Sequence, residues 1–139
     1  KNIWVANASS NDVTKLRASD GATLGIFRVD FGPRGIAFDG ENIWTANFNS
    51  ANVTKLRASD GTKLGTYPVG DNPRGIIFDG KYIWVTNSGS NTVMKLSVSD
   101  GTILGTFDTG MGPLDITFEG NYLWVVNYLS NTVMKMRGN

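Results

Sequence analysis

The sequence contains neither cysteine nor histidine. The first absence excludes a disulfide framework and any thiolate metal site. The second removes the side chain most often used as a general base near neutral pH. An excess of one charge sign is also missing. Thirteen basic residues against twelve acidic ones leave a formal net charge of +1. The signs are interspersed, so there is no broad basic field for nucleic acid or an anionic membrane. No apolar run approaches the roughly 20 residues that a bilayer-crossing helix needs. The opening stretch, Lys1 to Asn7, does not read as a signal peptide. It also lacks an initiating Met, which points to a processed product or a piece of a longer chain.

Glycine, by contrast, is abundant at 17 of 139 residues, and it falls in a pattern that suggests short strands and tight turns. That pattern is a repeat. Trp4, Trp44, Trp84 and Trp124 recur every 40 residues, as do Asn7, Asn47, Asn87 and Asn127. Lys15, Lys55, Lys95 and Lys135 keep the same spacing, and so do Gly21, Gly61 and Gly101 and Pro33, Pro73 and Pro113. No insertion or deletion breaks the register, so the chain is one unit copied about three and a half times.

Within the second copy, four strand signals alternate with turn signals. Gly35 to Asp39 reads as a first strand, with Asp39-Gly40 as a tight turn. Asn42 to Asn47 is the second, Val53 to Ala58 the third, and Lys63 to Val69 the fourth, with Ser59-Asp60-Gly61 turning between the last two. Asp-Gly between apolar runs marks a hairpin because glycine accepts the positive φ of a tight turn. Pro68 falls in the fourth strand, and a proline there fits an edge position. Four antiparallel strands every 40 residues predict an all-β chain, a β-propeller built of four-stranded antiparallel blades.

The stretch Pro73 to Gly110, P-R-G-I-I-F-D-G-K-Y-I-W-V-T-N-S-G-S-N-T-V-M-K-L-S-V-S-D-G-T-I-L-G-T-F-D-T-G, resembles the YVTN/NHL-type propeller repeats. That group includes the relatives of streptogramin B lyase, and the resemblance covers essentially the whole chain. It implies a ring of roughly six or seven blades and a secreted or periplasmic location. The lyase relatives use a histidine base, a carboxylate and a divalent metal on the propeller face. This chain has no histidine, so the resemblance carries no catalytic residue onto it, and fold alone does not imply function.

Lys1 aligns with Glu41 and Asn139 with Ser99. The expected division is a first blade lacking its innermost strand (1–34), two whole blades (35–74 and 75–114), and a last blade lacking its outermost strand (115–139). Open blade edges invite pairing. Three closures stay open: a segment of a larger ring, a homodimer closing the ring, or a small four-bladed ring made by this chain alone.

The repeated residues have structural readings. The tryptophans, beside Ile3, Ile43, Ile83 and Leu123, are expected in a blade-to-blade core. The asparagines are expected to hold backbone groups of the following loop, as Asx turns do. One lysine per blade, opposite Leu16, Leu56, Leu96 and Met136, is expected on a solvated face with its stem packed down. The Asp-Gly pairs are turn residues. No D-x-[DN]-x-[DN]-G loop accompanies them, so no metal or cofactor is expected.

What varies between copies is free to recognise something. The loops after the second strands carry Ala8-Ser9, Phe48-Asn49, Ser88-Gly89 and Tyr128-Leu129, and those before the first strands carry Asp30-Phe31, Gly70-Asp71 and Gly110-Met111. In an up-and-down blade these two sets emerge on the same side. That face should present Phe31, Phe48, Met111, Tyr128 and Leu129, with Arg34, Arg74 and Asp115 close by. Aromatics and arginines are the side chains most enriched at binding hot spots. The expected function is non-enzymatic: a binding or scaffold propeller for a protein, peptide or small ligand. One alternative is a metal-dependent lyase or hydrolase using Asp30, Asp71 and Asp115; another is a structural self-assembling repeat unit.

Overall fold

The computed structural model describes residues 1–138, and its elements are fourteen short strands with no helix among the described residues. β1 (Asn2–Asn7), β2 (Asp12–Arg17) and β3 (Thr23–Arg28) form a three-stranded sheet. β4 (Pro33–Phe38), β5 (Asn42–Asn47), β6 (Asn52–Arg57) and β7 (Lys63–Pro68) form a four-stranded one. β8 (Pro73–Phe78), β9 (Tyr82–Asn87), β10 (Thr92–Ser97) and β11 (Ile103–Asp108) repeat it. β12 (Pro113–Glu119), β13 (Tyr122–Asn127) and β14 (Thr132–Arg137) make a second three-stranded sheet. Neighbouring strands pair antiparallel throughout. β4, β8 and β12 pack against one another in turn, so the four sheets fan out as propeller blades.

The strand ends differ slightly from the sequence reading. β4 begins at Pro33 rather than Gly35, with an irregular register between the two. A proline can open a strand because its missing N–H is not yet required there. β6 and β7 each stop one residue earlier than expected, and Pro68 ends β7 on the free edge of its sheet.

Side chains alternate between the two faces of a strand, and in the middle blades both faces are covered. Trp44 is 0% exposed and Ile43, on the opposite face, 1%. In the outer sheets only one face is covered. Ile3 is 53% exposed, whereas on the last sheet it is Trp124 that opens, to 36%, while Leu123 stays buried. The fan therefore has a direction. Each blade turns its tryptophan toward the next blade and its isoleucine or leucine toward the one before. One such seam buries Trp44, Ala46 and Val53 against Ile76, Ile83, Val85 and Leu96. The tryptophans thus form the blade-to-blade core. The chain by itself leaves two faces uncovered rather than closing into a small ring.

Two expectations need correction. The repeated lysines of the first three sheets are not on a solvated face; only their counterpart Lys135, on the last sheet, is exposed. Lys15 and Lys55 are buried, and each donates across the seam to the turn between third and fourth strands of the next blade. Lys15 Nζ reaches the carbonyls of Ala58 (2.8 Å) and Ser59 (2.9 Å), and Lys55 Nζ those of Val98 (2.7 Å) and Ser99 (3.4 Å). Lys95 Nζ meets the Gly138 carbonyl at 3.1 Å. These carbonyls lie at the end of a strand ladder and need donors from elsewhere. Each ammonium also sits 5.1–5.4 Å from the tryptophan ring of its own blade, within cation–π range.

The asparagines, in turn, bind side chains rather than loop backbone. Asn47 Nδ2 donates to Asn52 Oδ1 and Thr54 Oγ1, both at 2.8 Å, tying second strand to third. Asn7 does the same with Asp12 and Thr14. The amide sits directly across from a polar third-strand residue in the ladder, so it has a partner nearer than the loop.

Candidate functional site

The innermost strands carry the residues that face the centre of the fan. The loops entering them are held by those leaving the second strands. Phe48 N donates to Gly32 O at 2.9 Å and Asn49 N to Phe31 O at 3.1 Å. The same pair recurs as Ser88 to Asn72 with Gly89 to Asp71, and as Tyr128 to Gly112 with Leu129 to Met111. The two variable loop sets therefore share one face. A serine in each of the last three copies steadies them. Ser50, Ser90 and Ser130 accept from the amides of Phe31 (2.9 Å), Asp71 (2.7 Å) and Met111 (3.0 Å). Phe31, Asp71 and Met111 thus vary at one position on a constant frame.

A cavity of about 680 Å³ opens beside the innermost strands. Arg34, Arg74 and Asp115 line it together, between Pro33, Ile36, Ile76 and Leu114. Neither arginine forms an ion pair among the described residues. Arg34 lies over the half-buried Phe48 ring, 4.1 Å from its centroid, which holds the guanidinium in place. Asp115 is exposed and accepts from its neighbour's amide, Ile116 N, at 2.9 Å. Phe31, Met111, Tyr128 and Leu129 stand exposed on the loops and, like Phe48, do not line the cavity.

So the structure brings three of the eight expected residues into one concave wall and leaves the other five on the loops. The serines and the wall residues Pro33, Ile36 and Ile76 do not vary between copies, so a search for variable positions passes over them. Ser10, Ser50, Ser90 and Ser130 stand 40 residues apart, and that regularity was the available signal.

Asp30, Asp71 and Asp115 do not converge. Asp30 accepts from Lys63 Nζ at 3.0 Å and Asn52 Nδ2 at 2.8 Å. Burial pushes its pKa up, but these two bonds and the Lys63 charge outweigh it and hold the carboxyl below its ordinary value. Among the described residues no three acidic side chains gather in a metal-binding group. Nor is any helix long and apolar enough to cross a membrane.

No protein-family model matches the chain, and no curated protein matches its sequence. Solved structures do resemble it. Hydrazine synthase from Kuenenia stuttgartiensis aligns over 98% of this chain and 46% of its own, at 20% identity and a TM-score of 0.79. A protein of unknown function from Desulfotomaculum acetoxidans aligns over 99% of this chain and 49% of its own, at 18% identity and 0.84. BamB from Moraxella catarrhalis aligns over 98% and 40%, at 16% identity and 0.80. The chain therefore spans less than half the length of each of these three proteins. Identities this low speak for fold alone, and on that the geometry and the likenesses agree: the chain is a β-propeller repeat protein.

Proposed function

We propose that this chain is a non-enzymatic binding propeller that takes an anionic group of a peptide, protein or small ligand between Arg34 and Arg74. One observation carries the reading: two guanidinium groups without carboxylate partners wall the same cavity. A guanidinium presents five donors in a planar fork that matches carboxylate or phosphate geometry. Desolvating it without such a partner is costly, so a ligand that supplies one gains selectivity. The exposed Phe31, Met111, Tyr128 and Leu129 around the rim add apolar contact for the remainder of the ligand.

Selection from a random displayed peptide library against the immobilised chain tests this. Enriched peptides should carry Asp or Glu beside an apolar residue. The double substitution Arg34→Ala/Arg74→Ala should weaken their binding by about tenfold or more, as loss of charge-assisted hydrogen bonds requires, with the thermal midpoint unchanged. Peptides indifferent to both substitutions would place the site elsewhere.

A further inference from the structure

We propose that a second copy of this chain docks head-to-tail on the open face of the last sheet, so that two copies close one ring. The chain contains the template for this contact three times. At each internal seam, the leading blade supplies a tryptophan, a third-strand valine and a lysine, and the following blade supplies isoleucine or leucine and turn carbonyls. The last sheet repeats the leading half with Trp124, Val133 and Lys135, all exposed. Lys135 Nζ already stands 5.1 Å from the Trp124 ring, the placement its counterparts adopt, yet among the described residues it has no carbonyl to bond. The first sheet repeats the following half. Ile3 and Val5 are exposed there, and the carbonyls of Ala18 and Ser19 stand where Ala58 and Ser59 receive Lys15.

Position 115 favours a second copy over any sheet with an innermost strand. Inside the chain, successive innermost strands approach so closely that a side chain at Gly35 would run into the Arg74 carbonyl. At Gly75 a Cβ would come within 3.0 Å of the Leu114 carbonyl. The same position in the last sheet is Asp115. A following sheet with an innermost strand would meet that side chain. Among the described residues the first sheet starts its ladder at β1, the counterpart of β5 and β9, so a second copy of this same chain sets no such strand against Asp115. Two copies contribute eight sheets, within the usual range of roughly four to eight blades, and a heterologous contact that closes after two steps gives a ring rather than a filament.

The seam lies apart from Arg34 and Arg74, so its test is separate from that of the ligand site. Light scattering on the chain over about 1–100 µM should find a species of twice 15.1 kDa. Lys135→Glu and Ile3→Asp, each on an exposed position that leaves the fold intact by circular dichroism, should each raise the dissociation constant by about tenfold or more. Mixing the two variants should restore association, because one seam in the mixed pair is then wild type on both sides. A chain that stays at 15.1 kDa over the whole range would overturn the proposal. So would a dimer indifferent to both substitutions, a mixture that fails to associate, or a mass that climbs beyond two copies.

Discussion

Ala51 stands where the other copies have Asn11, Asn91 and Asn131, and all four adopt left-handed backbone with φ between 52° and 59°. Asparagine tolerates this region better than alanine. Asn11 and Asn91 also accept from the amides of Gly32 and Gly112 at 2.8 Å, bonds that alanine cannot make. Ala51→Asn should therefore stabilise the chain by about 1 kcal/mol, read as a higher urea midpoint at constant slope. A second difference between copies lies at position 45. Thr45 Oγ1 donates to Asn47 Oδ1 at 3.0 Å, but its counterparts are Val85 and Val125, and the buried Oδ1 atoms of Asn87 and Asn127 have no partner. Val85→Thr supplies the missing donor and should be neutral or stabilising. Val93→Thr, which buries a hydroxyl among Trp84, Ile116, Leu123 and Val125, should cost about 1–3 kcal/mol. Equal losses at the two sites would refute the explanation.

Between strands and sheets, the decisive contacts are those that cross a seam. Gly35→Ala forces a methyl group against the Arg74 backbone, where no flexible side chain can give way. Its cost should reach about 1–3 kcal/mol, as for overpacked cores. Lys55→Met keeps the stem over Trp44 but leaves the Val98 and Ser99 carbonyls without their donor. A loss of about 1.5–3 kcal/mol in chemical denaturation is expected, the range for hydrogen bonds to charged groups. Lys63→Met, at the exposed ion pair with Asp30, should lose no more than about 1 kcal/mol. The same contrast explains why sequence reading misjudged the lysines. A lysine opposite a leucine in a strand looks like half of a solvated face, because the carbonyls it serves lie 43 residues away on another sheet.

For the whole molecule, pH dependence follows from its carboxylates and from its lack of histidine. Asp39 is held below its ordinary value: burial raises it, but bonds from Trp44 Nε1 and from the Glu41 and Asn42 amides outweigh that. Asp60 is lowered from 3.8 to about 2, chiefly by the Thr62 amide, and Asp100 is lowered in the same way by Thr102. A pKa lowered in the folded state gives stability that is complete above the unfolded value and is lost as pH falls through the folded one. The thermal midpoint should therefore decline from about pH 4 toward pH 2. With no histidine to titrate, it should stay level across about pH 5–8. A midpoint that changed sharply near pH 6.5 would contradict this account.

Repeat, strand order, hairpin turns and tryptophan core were legible from residues alone, because each copy encodes them through local signals: alternation along a strand and glycine where φ must be positive. The exposed positions of Phe31, Met111, Tyr128 and Leu129 were legible too, since loops that vary between copies have no shared partner to bury them. That Arg34, Arg74 and Asp115 stand near one another was legible as well, from their neighbouring places in the repeat. Two things only the tertiary structure decided: it set the repeated lysines of the first three sheets on the next sheet's carbonyls, and it left the faces of Ile3 and Trp124 uncovered. Each depends on how one sheet meets another, and a spacing of 40 residues along the chain says that the copies are alike without saying which of their faces touch.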